Sequence, residues 1–227
     1  MDDVACESLS PTGDTRGLLR VAAPLSFGPT HLAAVLAELA QRNPQLQVHA
    51  VYSDRFADLV SEGFDAAIRI GTLPDSNLLA RRIGPIRGKV VASPTDLAAR
   101  AAPQTRADSS AHEALMQGTE VWRLLDRGKV VIVHPRGRFE ADNGQALAAA
   151  AVAGLGLAIL PDFSTDEHIA SGALVAVLAD YPVPEGGIVV VRPPAGHPPR
   201  KVELQTEPLV ERFSEPGSRT DQLQGRS

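Results

Sequence analysis

Two short stretches of the chain combine residue types that can bind a small anion. The first is the turn PLSFGP at 24–29, and the second is DNG at 142–144. Each stretch precedes a segment with helical spacing, so each would place free N–H groups and positive partial charge at the start of a helix. The Ser26 hydroxyl and the Asn143 amide would add further hydrogen-bonding groups. Both side chains are also common helix caps, and the residue pattern leaves both roles open.

Residue patterns typical of catalysis are absent from the sequence. The six histidines are dispersed, and neither an HExxH pair nor a CxxC pair occurs, so no metal-binding motif is present. The segment GPIRGK at 84–89 has too few residues between its glycines for a phosphate-binding loop. The segment GLG at 154–156 lacks the third glycine of a dinucleotide-binding motif. We therefore predict a protein that is not an enzyme and has no metal and no cofactor.

Composition and charge limit the classes of binding partner and the cellular location that we expect. The net charge of −5 and the pI near 5.7 give no electrostatic reason to expect contact with DNA or a membrane. The single cysteine, Cys6, has no intramolecular partner, which favours a reducing compartment. The N-terminal segment lacks the basic start and apolar block of a signal peptide. A cytoplasmic location is the prediction.

The segment 51–71 is the element around which the predicted fold is organised, and its pattern predicts a β-α-β unit. Asp54 would cap the helix, and Gly63 would end it in a left-handed conformation. One apolar face of the helix would consist of Phe56, Leu59 and Val60. The strand at 64–70 would follow, and because the helix crosses over, the two flanking strands would be parallel.

Other elements would position the two polar stretches. Helices are predicted at 29–42, from the Ser93-Pro94 cap onward, and at 145–153; a hairpin is predicted around 126–128, an aliphatic strand at 188–191 and a final helix at 200–213. The first of these helices would carry the apolar stripe Leu32, Val35, Leu36 and Leu39. The uncharged run 146–161 is shorter than the roughly 20 residues that a membrane span needs, so a buried helix and strand is the better interpretation.

These segments also carry a family resemblance. The string SDRFADLVSEGFDAAIRIG at 53–71 resembles the effector-binding domain of the LysR-type bacterial transcription regulators, and so do the segments at 18–28, 74–94 and 142–163. Together they cover roughly residues 17 to 213 in the family's order. The resemblance implies an α/β, two-lobed fold similar to type 2 periplasmic binding proteins. Each lobe would be a mixed, mostly parallel sheet flanked by helices.

The resemblance also implies a domain organisation. Residues 1–16 would be a disordered linker remnant, 17–93 with 192–213 would form lobe I, 94–191 would form lobe II, and 214–227 would be a disordered tail. In the family a helix-turn-helix domain and a linker helix precede this point, and the sequence shows neither. We therefore expect no direct nucleic-acid contact by this chain.

The resemblance further implies the ligand, the site and the partner. A small organic anion, such as an aromatic or dicarboxylic acid, would bind between the lobes and alter the oligomer. The implied effector-binding residues are Ser26, Phe27, Thr72, Asn143, Gly144 and Phe163. Helices 29–42 and 145–153 would form a homodimer, unless their apolar stripes pack only inward.

Two alternative functions stay open at this point. One is a free-standing solute-binding protein of the same fold, which would need a signal peptide or a lipid anchor. The other is a shortened partner that pairs with a full-length regulator and inactivates it, an interpretation that depends only on the absent helix-turn-helix domain.

Overall fold

The computed structural model describes residues 16–71, 77–118, 121–194, 209–210 and 212–213. Its strands are β1 (Gly17–Ala23), β2 (Leu46–Tyr52), β3 (Ala66–Gly71), β4 (Leu79–Ile86), β5 (Gly88–Ala92), β6 (Ala114–Met116), β7 (Trp122–Asp126), β8 (Lys129–Val133), β9 (Phe139–Glu140), β10 (Leu157–Pro161), β11 (Val175–Val177) and β12 (Gly186–Arg192). Its α-helices are α1 (Ala33–Arg42), α2 (Pro94–Arg100), α3 (Gly144–Val152) and α4 (Asp162–Ala170).

Ten of the described strands form two separate five-stranded sheets, one in each half of the molecule, and β7 and β8 form a two-stranded sheet. The first has the order β2-β1-β3-β12-β4, and the second has the order β11-β5-β10-β6-β9. Within each sheet the described residues make two parallel and two antiparallel pairings. The predicted two-lobed α/β architecture with mixed sheets is therefore confirmed, although parallel pairs do not predominate.

Helix α1 continues a π-helical turn at Gly28–Leu32 and closes the core of the first half. Its predicted apolar stripe is buried: Leu32, Val35, Leu36 and Leu39 all pack into one cluster with residues of the first sheet. Spacings of three and four residues place these side chains on one face, which explains why the stripe could be identified from the sequence.

Several elements of the second half form where local sequence signals predict them. Helix α2 begins after Ser93, whose Oγ accepts a hydrogen bond from the Asp96 N–H at 3.2 Å. Strands β7 and β8 form the predicted hairpin, and Arg127 and Gly128 between them both have positive φ, as a tight two-residue turn requires. The predicted helix at 145–153 is α3, and Asn143 occupies its N-cap position.

The predicted lobe boundaries need correction. Strand β5 belongs to the second sheet and β12 belongs to the first, so the chain passes between the halves at Arg87 and returns between β11 and β12. The predicted boundaries at 93/94 and 191/192 therefore assign both strands to the wrong lobe. Only one residue separates β4 from β5, so the sequence around this crossing resembles an ordinary break between two strands. The Ser93-Pro94 signal marks a helix start within the second half.

The predicted helix between β2 and β3 is also wrong. Residues 56–65 form turns and irregular structure, and no residue from 53 to 65 is helical. The carboxylate of Asp58 accepts hydrogen bonds from the N–H groups of Val60 and Ser61 at 3.1 and 3.2 Å, which satisfies these groups locally. Gly63 nevertheless adopts the predicted left-handed conformation, with φ of 67°. Strands β2 and β3 both pair with β1 in parallel, so the two flanking strands run in the same direction, as predicted.

Some predictions lie outside the described residues. These are the site residue Thr72, most of the leader at 1–16, the tail at 214–227 and most of the final helix at 200–213; only positions 209–210 and 212–213 of that helix are described, and they are helical. Leu209 and Phe213 pack into the core of the first half. Among the described residues, no helix has both the length and the apolar character to cross a bilayer.

Candidate functional site

The turn after β1 lies at the carboxyl edge of the first sheet. The N–H groups of Phe27 and Gly28 both donate to the Pro24 carbonyl, at 3.2 and 2.7 Å, which closes the turn. A Cβ on Gly28 would lie 2.1 Å from a ring carbon of Tyr52, so only glycine fits there. The structure places Phe27 at the N-cap position of the following helix, and no side chain caps it. A capping role for Ser26 is therefore wrong, and its half-buried hydroxyl is not used in that way.

Asn143 and Gly144 begin α3 in the second half and lie against this turn. The Asn143 Oδ1 accepts hydrogen bonds from the N–H groups of Gln145 and Ala146, at 2.9 and 3.1 Å. A Cβ built on Gly144 would lie 3.9 Å from the Cβ of Ser26. The structure thus brings Ser26, Asn143 and Gly144 together, although they are far apart in sequence and come from different halves.

Asp54 completes this meeting point between the halves. It follows β2, whose end is anchored by the bond from the Ser53 N–H to the Ala23 carbonyl, at 2.9 Å. The Asp54 Oδ1 accepts from the Leu25 N–H at 2.9 Å, and its Oδ2 accepts from the Asn143 Nδ2 at 2.6 Å. We call the set Leu25, Ser26, Asp54, Asn143 and Gly144 the interlobe junction. One carboxylate in it binds both halves.

Phe27 and Phe163 form an aromatic contact behind the junction. Phe163 lies in α4 of the second half, and its ring centroid is 5.2 Å from that of Phe27 and 5.5 Å from that of His31. Phe27 also stacks on His31 at 4.9 Å. Phe27 has 0% of its surface exposed, so a direct contact between Phe27 and a ligand requires the two halves to separate.

Asp54 and Leu25 are the junction residues that the predicted site lacks. The sequence suggested Asp54 as a helix cap, because a capping carboxylate and a carboxylate with distant partners look the same in sequence. A usable signal did exist. Asp54 comes two residues after β2 and Ser26 comes three residues after β1, and the carboxyl ends of neighbouring parallel strands meet at one edge of a sheet.

The junction offers hydrogen-bonding groups. It contains amide and hydroxyl hydrogen-bonding groups and one carboxylate, and the described residues show no cluster of side chains that could hold a metal ion. A cavity of about 770 Å³ lies elsewhere, between the segments 105–110 and 132–136 of the second half. Its wall carries the pair Arg106–Asp126, with Nε and Oδ2 3.8 Å apart, and none of the predicted site residues.

Comparison with known families finds one match over most of the chain. The model of the LysR substrate binding domain matches residues 12–214. The segments that carried the resemblance at 18–28, 53–71, 74–94 and 142–163 all fall within this range.

Individual proteins give the same result. An uncharacterised HTH-type transcriptional regulator of Haemophilus influenzae is 31% identical over 206 residues, which cover 89% of this chain and 72% of that protein. The HTH-type transcriptional regulator PtxR of Pseudomonas aeruginosa is 32% identical over 204 residues, which cover 88% of this chain and 65% of that protein. The chain thus spans about two thirds of the length of these relatives.

A solved structure shows the same fold at the level of a single domain. The CrgA regulatory domain of Neisseria meningitidis, a LysR-type transcriptional regulator, superimposes with a TM-score of 0.73 at 28% identity. The superposition covers 88% of this chain and 100% of that domain.

Proposed function

The chain belongs to the LysR substrate-binding domain family, and from this premise we propose that it senses a small organic anion between its two halves and passes the signal to a transcription regulator. The observation that carries the proposal is the interlobe junction, because it joins N–H and amide donors of both halves at one point. A ligand that contacts both halves favours one angle between them, and a change in this angle alters the contacts with a partner domain or subunit.

Two groups at the junction suit an anion. The first turn of α3 places positive partial charge at the junction, and the Ser26 side chain lies beside Gly144, with its Cβ 3.9 Å from a Cβ built there. Phe163 adds an apolar surface behind them, which suits an aromatic or aliphatic body on the acid. Within the proposal, Ser26, Asn143 and Gly144 bind the acid group, and Phe27 and Phe163 border its apolar part.

Calorimetric titration with a panel of aromatic and dicarboxylic acids tests the proposal. We expect an acid that binds the wild type to bind Ser26→Ala about tenfold or more weakly, because a hydrogen bond to a charged group is lost. The matched control is Ser171→Ala, an exposed serine at the end of α4 whose Oγ donates only to the His168 carbonyl. Unchanged affinity in Ser26→Ala would remove Ser26 from the site. A panel without any binding acid would contradict the anionic ligand.

We also propose that the chain forms a homodimer through the outward faces of α1 and α3. The leucine stripe of α1 packs inward and so does not form the contact itself. The outward face carries small residues beside the exposed Glu38–Arg42 pair: Ala34 and Ala37 are exposed, and Ala33 and Ala40 are half-exposed. On α3, Ala149 is exposed and Ala146 and Ala150 are half-exposed. Small side chains let two helices approach closely, and one helix on each half suits an antiparallel pair related by a twofold axis.

Sedimentation analysis at micromolar concentration checks the dimer. We expect Ala37→Glu and Ala149→Glu each to give a monomer, because each places an unpaired carboxylate at the contact. Ala98→Glu is the control, since Ala98 is an exposed alanine on α2, outside the proposed contact. A wild type that is monomeric under these conditions would contradict the dimer.

A role without catalysis and without direct DNA contact completes the proposal. The curated relatives carry the names of transcription regulators, which supports a sensing role. The net charge of −5 does not favour nucleic-acid binding by this chain. The cytoplasmic location stays a prediction.

A further inference from the structure

The Asp54 carboxylate occupies the donors that an anionic ligand of the junction would need. Its two oxygens accept from the Leu25 N–H of the first half and from the Asn143 amide of the second, at 2.9 and 2.6 Å. These residues are separated by 29 and 89 positions in the chain, so both bonds are tertiary contacts. Such bonds to an ionised acceptor are stronger than bonds between neutral groups.

We propose that Asp54 is an interlobe latch, which holds the halves together without a ligand and competes with an anionic effector for the same donors. An acid that binds at the junction replaces the Asp54 carboxylate with its own, and the latch opens as the ligand enters. The ligand-free state is thereby stabilised, and only acids that add further contacts shift the population away from it. The competition rests on the function proposed above, whereas the latch itself does not.

The position of the Asn143 amide is fixed by the helix that it caps. Because Oδ1 is held by the N–H groups of Gln145 and Ala146, Nδ2 must point away from α3 and toward Asp54. Rotation of the amide would break the cap as well as the latch. The direction of this donor is therefore set before any ligand arrives, which lowers the entropy cost of a bond to it.

The charge of Asp54 stays available for the latch. The neighbouring Arg55 directs its guanidinium to Glu62, with NH1 2.9 Å from Oε1 and NH2 2.6 Å from Oε2. No ion pair in the described part of the chain involves Asp54. Within the described part of the chain, its partners are therefore hydrogen-bond donors and not a cation, and these are the donors that the proposed effector also needs.

A change of the donor side chain alone tests the latch in the absence of ligand. Asn143→Asp keeps the oxygen that caps α3 and replaces the donor Nδ2 with a second oxygen that faces Asp54. We expect the Leu25 amide to exchange with solvent about tenfold or more faster by NMR, because the repelled carboxylate no longer accepts from it. We also expect the radius of gyration in X-ray scattering to increase. The Gln145 amide should keep its protection, which shows that the cap is intact.

The double variant Asp54→Asn with Asn143→Asp restores the bond with donor and acceptor exchanged. We expect both the Leu25 exchange rate and the radius of gyration to return toward the wild-type values. If Asn143→Asp does not fold, Asp54→Ala provides the same scattering measurement without changing the cap. Wild-type exchange and size in the single variant, or a folded double variant that stays open, would overturn the latch.

The competition is measured with sodium benzoate and sodium succinate as probes. We expect Asp54→Ala to bind at least one of them about tenfold more tightly than the wild type, because the internal carboxylate is gone. Asp58→Ala is the matched control, since it removes an exposed carboxylate from the same segment without touching the second half. Equal affinity of Asp54→Ala and wild type would overturn the competition alone. Absence of binding to both would overturn the competition together with the proposed anionic effector.

Discussion

The segments that begin at Ser93 and at Asp54 both start with a residue able to cap a helix, but only the first forms one. The Ser93 Oγ accepts from the N–H of Asp96, three residues later, and α2 follows. The two oxygens of Asp54 accept instead from Leu25 and Asn143, and the chain from 56 to 65 forms turns. A capping side chain that is recruited by distant donors cannot satisfy the first N–H groups of its own segment.

The two segments also differ in how much of their side chains is buried. Helix α2 buries Asp96 completely, whereas the segment after Asp54 buries Leu59 and leaves Phe56 and Val60 each 68% exposed. A helix with the predicted apolar face would have needed all three side chains against the core. The difference teaches that a local helix signal is decisive only where the tertiary structure makes no other use of the capping group.

The largest expected loss of stability follows from a substitution of Asp96, in the segment that begins at Ser93. Its Oδ2 lies 2.6 Å from the Nδ1 of His112, and the two side chains are 0% and 1% exposed. We expect Asp96→Ala to lower the free energy of unfolding by about 3–5 kcal/mol, because a buried polar partner is left without its bond. Urea denaturation followed by circular dichroism measures this loss.

The other partner of Asp96 provides the control. Arg100 also pairs with the Asp96 carboxylate, but its side chain is 37% exposed. Arg100→Ala should therefore cost less than about 1 kcal/mol. Equal losses for Asp96→Ala and Arg100→Ala would mean that the buried contact with His112 does not decide the stability of this region.

A smaller loss of stability is expected from a substitution of Leu59, in the segment that follows Asp54. This side chain is 2% exposed and packs with Ala22, Phe64 and Ala67 of the first half. Leu59→Ala should cost about 2–3 kcal/mol, in the lower part of the usual range, because turns relax around a cavity more easily than helices and sheets. Val60→Ala should cost less than about 0.5 kcal/mol, since Val60 is exposed. Similar losses for both variants would indicate the amphipathic helix that the structure lacks.

The features that could be predicted from the sequence are those whose determining contacts are local. The cap at Asn143, the turn at Arg127-Gly128 and the apolar stripe of α1 each depend on residues within a few positions of one another. The two-lobed fold followed from the family resemblance, which orders many such segments along the chain. These features position three of the predicted site residues, Ser26, Asn143 and Gly144, in one place.

The remaining features depend on contacts between distant residues. The partners of Asp54 are 29 and 89 positions away, and no pattern around Asp54 identifies them. The burial of Phe27 results from Phe163 and Phe213 in other parts of the chain. The crossing at Arg87 is set by the strands that pair with β4 and β5, which the sequence around Arg87 does not specify.

The smallest expected effect concerns pH, because the turn segment is held by exposed carboxylates and the α3 cap is held by a neutral amide. The hydrogen bond from the Ser61 N–H is the main cause that lowers the pKa of Asp58 below its ordinary value of 3.8. The bond from the Arg55 guanidinium is the main cause that lowers the pKa of Glu62 below its ordinary value of 4.5.

A lowered pKa in the folded state means that the ionised form is stabilised by folding, so its contribution is complete above the unfolded-state value and is lost as the pH falls through the folded-state value. We expect the Val60 and Ser61 amide resonances to shift as the pH falls, with a midpoint below the ordinary Asp58 value of 3.8. The cap of α3 has no titrating group of its own, because the Asn143 Oδ1 that holds the Gln145 and Ala146 N–H groups belongs to a neutral amide. Arg55→Ala should return the pKa of Glu62 toward 4.5, and a Glu62 carboxyl resonance that titrates alike with and without Arg55 would show that the guanidinium does not hold this turn.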